Sequence, residues 1–159
     1  MNNLRGKNAI LYRRVSTTDQ KTFGNSLNAQ QSSLKDFCDK NALNVIKEFQ
    51  EDYSAKDFNR PEWKRLNKFA KENKKKIDYL LITSWDRFSR NTYEALGRIY
   101  EMRELGVEIN SVENWIDQDW HKIPVGCFTS QDIAQLIAQF KGHKIINPFK
   151  DYDEPETLP

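Results

Sequence analysis

The sequence predicts an α/β domain of three layers, a mostly parallel sheet with helices on both faces. Three observations carry that expectation. Short runs of aliphatic and aromatic residues alternate with longer segments whose apolar residues recur at helical spacing, in the order βαβαβαβ. The run IDYLLITSW is almost continuously apolar, as a strand buried on both faces in the middle of a parallel sheet must be. The chain has 159 residues, enough for one such core and too few for two ordinary ones.

The first strand is expected over residues 8–15, where Ala9, Ile10, Leu11 and Tyr12 run into Arg13, Arg14 and Val15. Ser26 then offers an N-cap to a helix in which Leu27, Gln31, Leu34, Phe37, Cys38 and Ala42 share one face. LNVIKEF reads as the second strand, and QEDYSAKDFNR as a polar loop long enough to suggest a function. Pro61 opens the second helix in the first-turn position that proline favours, with Trp63, Leu66, Phe69 and Ala70 on its buried side. IDYLLITSW is the third strand. DRFSRN ends it and leads into a third helix striped by Tyr93, Leu96, Ile99, Tyr100 and Met102, which Gly106 stops. VEINSV is the fourth strand, and SQDIAQLIAQF a later short helix. The expected organisation is a main domain over 1–117, an extension carrying that short helix over 118–145, and an acidic, proline-containing tail over 146–159 that should be disordered.

Composition excludes several classes. No apolar run approaches the ~20 residues of a membrane span, so a soluble protein with no membrane partner is expected. MNNLRGKNAI lacks the pattern of a secretory signal, which points to the cytoplasm. Cys38 and Cys127 are too few for a disulfide framework, and His121 and His143 have no metal-ligand spacing, so no metal is expected. The net charge of +2 hides an asymmetry: residues 1–76 hold 17 Lys and Arg against 9 Asp and Glu, and residues 77–159 hold 8 against 14. A basic front half favours a polyanion such as nucleic acid, although the KKK run at 74–76 reads equally well as a solvated helix end.

Ligands of an open parallel sheet bind beyond the carboxyl ends of its strands. Side chains alternate along a strand, so Arg14 and Ser16 share a face and Arg13 points the other way, toward a carboxylate or solvent. Arg87 and Arg90 lie three apart after the third strand. If the first and third strands are neighbours, these arginines converge on Ser16. A serine among guanidiniums, with no histidine base, suits a phosphodiester: arginine presents a planar fork to phosphate oxygens, and phosphoryl transfer asks mainly for positioning and charge neutralisation. Buried arginines of this kind imply acidic partners such as Asp86, or an anionic ligand.

Taken in order, YRRVSTTDQ, NSLNAQ, EDYSAKDFNRPEW, IDYLLITSWDRFSRN and LGVEINSVE resemble the catalytic domain of the serine recombinases, the resolvase/invertase family. The resemblance covers residues 8 to about 117 and implies a resolvase-like domain around a largely parallel sheet of four or five strands. It implies Ser16 as the nucleophile of a 5′-phosphoserine intermediate, with Arg14, Arg60, Arg87 and Arg90 as the assisting, DNA-contacting arginines and Asp86 as the aspartate of the DR motif. Gln20 and Gln30 correspond to two polar positioning residues, Lys71 to a DNA-contacting lysine late in the second helix, and either Glu51 or Asp52 to the acid ahead of the loop. No cofactor is implied.

Family members continue into a long helix and a DNA-binding domain, of which no pattern is visible after Asp117. The expected function is therefore a site-specific DNA recombinase catalytic domain that cuts and rejoins DNA in the bacterial cytoplasm, on the nucleoid when bound. Its expected partners are double-stranded DNA and further recombinase subunits, in a homodimer or tetramer or with an intact relative. The alternative is a degenerate module that only binds DNA or a partner.

Overall fold

A computed structural model describes residues 3–15, 27–52, 60–89 and 92–115. Its elements are β1 (Asn8–Val15), α1 (Leu27–Lys40), β2 (Asn44–Asp52), α2 (Pro61–Glu72), β3 (Tyr79–Ile82), α3 (Trp85–Phe88), α4 (Thr92–Glu104) and β4 (Glu108–Ser111). The four strands form one parallel sheet in the order β2-β1-β3-β4. Ser26, the helix expected at SQDIAQLIAQF and the acidic tail lie outside the described residues.

Strand alternation divides the core in two. Ile10, Tyr12, Phe49, Leu80, Ile82 and Ile109 face α2, α3 and α4, meeting Trp63, Leu66, Trp85, Phe88, Ile99 and Met102. Ala9, Leu11, Tyr79 and Leu81 face α1 and meet Leu34 and Cys38. Helices therefore cover both faces, giving the three predicted layers. Each fully buried large aliphatic side chain contributes roughly 1.5–3 kcal/mol. Burial pushes the Cys38 thiol up to about 11, so it behaves as a small apolar residue. Among the described residues, no helix is long and apolar enough to cross a membrane.

α1 and α4 end in the same way. Leu43 N–H donates to the Cys38 carbonyl and Ala42 N–H to that of Asp39, while Val107 N–H donates to Met102 and Gly106 N–H to Arg103. Both are Schellman motifs whose C′ residue has a left-handed backbone, Ala42 at φ 52 and Gly106 at φ 81. Each places an apolar residue, Leu43 or Val107, in the core one step before a strand begins. Ala42 is thus exposed beyond the helix and not on its buried face.

Other boundaries also differ from the sequence pattern. β2 runs on to Asp52 because Gln50, Glu51 and Asp52 pair with Arg13, Arg14 and Val15, polar residues that lengthen a strand only when a partner strand supplies the ladder. β3 stops at Ile82, and Trp85 starts a one-turn helix in which Arg87 N–H and Phe88 N–H both donate to the Ser84 carbonyl. The expected third helix is α4, and α3 is an additional turn where the end of the strand and its lead-in were expected.

Candidate active site

The carboxyl ends of β1, β2 and β3 and the N-terminus of α2 meet at one end of the sheet. Beneath them lies an aromatic cluster. Tyr12 and Trp63 have ring centroids 5.5 Å apart at 79°, Trp63 and Phe88 5.5 Å apart at 60°, and Trp85 and Phe88 6.3 Å apart at 74°. Edge-on pairs of this kind add about 0.5–1.5 kcal/mol each beyond their burial. They make a stiff floor.

On that floor β1 delivers its arginines. Arg13 faces α1 and pairs with Glu48 at 3.2 Å, a carboxylate that also receives Lys35 at 3.5 Å. Arg14 points to the opposite face, is buried, and donates from Nε to the Arg87 carbonyl at 2.6 Å. The pairing of β1 with β3 ends at Leu11 and Leu81. Where that ladder has ended, the Gln30 carboxamide takes over: its Oε1 accepts from Arg14 N–H at 3.2 Å and its Nε2 donates to the Arg14 carbonyl at 2.8 Å. Gln30 does for Arg14 what a neighbouring strand would have done.

Arg60 stands just before α2 and is fully buried. Its Nη1 donates to the Tyr12 hydroxyl at 3.2 Å and its Nη2 to the Phe88 carbonyl at 2.8 Å. Burial pushes the Tyr12 phenol up to about 12, against the pull of the adjacent Arg60 charge, so it stays neutral. Glu51 is the buried acid of the β2 end: its Oε2 accepts from Trp63 N–H at 3.0 Å in the first turn of α2. Burial raises its pKa, and hydrogen bonds from the Trp63 and Glu62 backbone and the charge of Arg60 oppose the rise.

The structure thus brings Arg14, Gln30, Arg60 and the backbone of Arg87 together, with Glu51 alongside. Arg87 itself is only partly buried. Ser16, Gln20 and Arg90 lie outside the described residues, as does the side chain of Asp86. Lys71 is not brought in: it is exposed in the last turn of α2, 11 residues beyond Arg60 and so about 16 Å along the helix. Arg13 has the carboxylate partner expected of it, Glu48, while Arg14 and Arg60 also donate to main-chain carbonyls and a phenol, which the sequence pattern did not indicate. Tyr12 was missed in the sequence, though strand alternation places it on the face of Arg14 and Ser16. Among the described residues no group of three or more His, Cys, Asp or Glu could hold a metal ion.

A parallel sheet of this order, with arginines gathered at its strand ends, is the catalytic-domain fold of the serine recombinases. The family described as resolvase, N-terminal domain matches residues 9–152, and the chain belongs to it. Among solved structures, the chain is similar to the N-terminal catalytic domain of TP901-1 integrase, at 22% identity and TM-score 0.65, covering 84% of this chain and 91% of that one. It is similar also to a resolvase family site-specific recombinase from Streptococcus pneumoniae, at 26% identity and TM-score 0.63, covering 83% and 84%. A third is the C-terminal catalytic domain of ISC1926 TnpA, an IS607-like serine recombinase, at 23% identity and TM-score 0.55, covering 82% and 77%. No curated protein sequence matches.

Proposed function

We propose that this protein cleaves and rejoins DNA phosphodiesters through a covalent phosphoserine at Ser16. The observation that carries the reading is the contact between the end of β1 and α3, where Arg14, two residues before Ser16 in the sequence, donates from Nε to the Arg87 carbonyl at 2.6 Å. The serine oxygen attacks phosphorus, a P–O bond to Ser16 forms as the bond to the 3′-oxygen breaks, and the serine proton is balanced by the proton the 3′-hydroxyl gains. Arg14, Arg87 and Arg90 neutralise the charge that develops on the phosphate oxygens. The bond to serine keeps the energy of the broken linkage, so rejoining needs no nucleotide cofactor. Duplex DNA is the substrate, and further recombinase subunits supply the second strand cut.

The test is incubation with supercoiled plasmid carrying candidate sites, quenched with detergent. A covalent protein–DNA adduct that disappears in Ser16→Ala supports the proposal. Absence of any adduct, with an intact recombinase partner supplied, overturns it in favour of a binding module.

A further inference from the structure

The residue assignments of the family resemblance treat Arg60 as a hand on the DNA. Its geometry says otherwise. The side chain is fully buried, and both terminal nitrogens of its fork are engaged, Nη1 with the Tyr12 hydroxyl and Nη2 with the Phe88 carbonyl. The carbonyl one residue earlier, that of Arg87, is held by Arg14. At the other end of the same turn, the Trp85 indole N–H donates to the Asn114 carbonyl at 3.1 Å. A single helical turn is too short to be stable by itself. α3 is nonetheless pinned at three points, two of them consecutive carbonyls at its C-terminal end, where cations are favoured. Among the described side chains of α3, Trp85 and Phe88 are buried and Arg87 is partly exposed.

We infer that Tyr12 and Arg60 form a clamp whose task is to position α3, and through it Arg87, for the phosphate, and that Arg60 is a positioning residue and not a DNA contact. Tyr12 is buried beside Arg60. Its neutral hydroxyl accepts from Nη1 and so fixes the roll of the guanidinium, and the ring, packed edge-on against Trp63, cannot follow if the arginine turns. Arg60 in turn joins the start of α2 to the end of α3. A displacement of α2 is therefore transmitted to Arg87 through one side chain. The inference rests on the recombinase reading for its consequence in catalysis, but not for the clamp itself.

The experiment uses the full chain. Tyr12→Phe keeps the ring and removes the oxygen; Arg60→Gln removes the charge; Arg60→Lys keeps the charge and loses the fork. Single-turnover adduct formation is expected to slow roughly tenfold to hundredfold in each, the worth of a hydrogen bond to a charged group. In a Ser16→Ala background, the slope of log affinity for duplex DNA against log salt is expected to stay unchanged in Arg60→Gln. A phosphate contact would instead lower the slope by about one and be rescued in part by lysine. Amide exchange at Phe88 and Ser89, whose N–H groups donate to Ser84 and Trp85, should quicken in Tyr12→Phe while Leu80 and Leu81 keep their protection. A reduced slope, rescue by Arg60→Lys, or wild-type cleavage in Tyr12→Phe each overturns the inference. If Arg60→Gln fails to fold, Tyr12→Phe decides. If the wild-type chain forms no Ser16-dependent adduct, the recombinase reading fails and exchange decides the clamp: faster in Tyr12→Phe supports it, unchanged overturns it.

Discussion

Glu51 shows how much one buried side chain constrains this end of the sheet. Its carboxylate caps the first turn of α2 and stands near Arg60, yet burial dominates and holds its pKa above the ordinary 4.5. A carboxyl raised in the folded state contributes stability that is complete below the unfolded value and is lost as pH rises through the folded one. Glu51→Gln keeps an oxygen for Trp63 N–H and cannot titrate. The variant should therefore gain stability relative to the wild type as pH rises from the ordinary glutamate value through the raised one, measured as the difference in urea midpoint. A difference that shrinks over that range means the Arg60 charge outweighs burial. The choice between Glu51 and Asp52 was open in the sequence because two adjacent acids differ there only in strand parity. The register that pairs Arg14 with Glu51 puts Glu51 on the face of Arg14.

Among the elements, β1 shows a strand prolonged by a side chain. Gln30 satisfies both main-chain groups of Arg14 beyond the end of the β3 ladder. Gln30→Ala orphans two buried backbone groups and should cost about 2–4 kcal/mol in urea unfolding, with cleavage lost in step because Arg14 is no longer held. The paired Schellman motifs give a test of opposite sign. Ala42 occupies a left-handed position that glycine tolerates better, so Ala42→Gly should stabilise by about 1 kcal/mol and Gly106→Ala destabilise by about the same, read from thermal or urea midpoints. Hydrophobic spacing made the existence and order of β1, α1, β2, α2, β3, α4 and β4 legible, because apolar periodicity reports which residues a core will bury. α3 was hidden. WDRF has no period to read over one turn, and what makes it helical is the hold of Arg14, Arg60 and Asn114, contacts that come from residues 28 to 73 positions away.

For the whole molecule, the charge asymmetry acquires a location. Lys64, Arg65, Lys68 and Lys71 are exposed along α2, and Lys74, Lys75 and Lys76 follow it, against Glu62 and Glu72. Non-covalent binding to a generic duplex is accordingly expected to weaken linearly in log salt, with a slope of roughly −0.9 for each phosphate neutralised. A flat titration means this basic surface is not used for DNA. Of the candidate site's arginines, Arg14 and Arg87 followed from strand ends and local pattern and Arg60 only from the family resemblance, while Arg90 lies outside the described residues. The grip of Arg14 and Arg60 on main-chain carbonyls was not legible, since carbonyls carry no sequence signal.

The strand order has a further consequence, for the birth of the protein. β1 lies at the middle of the sheet, and its partner β3 begins at Tyr79, opposite Ala9. β1 must therefore wait some seventy residues after its own synthesis for one of its two neighbours, and Ile10, Leu11 and Tyr12 wait with it for the core they join. Closing such long separations is slow and exposes apolar strand to other chains. The arginines and glutamine that crowd the end of β1 then act during synthesis as well: a strand with Arg13 and Arg14 at its tip is a poor template for aggregation before its neighbour arrives.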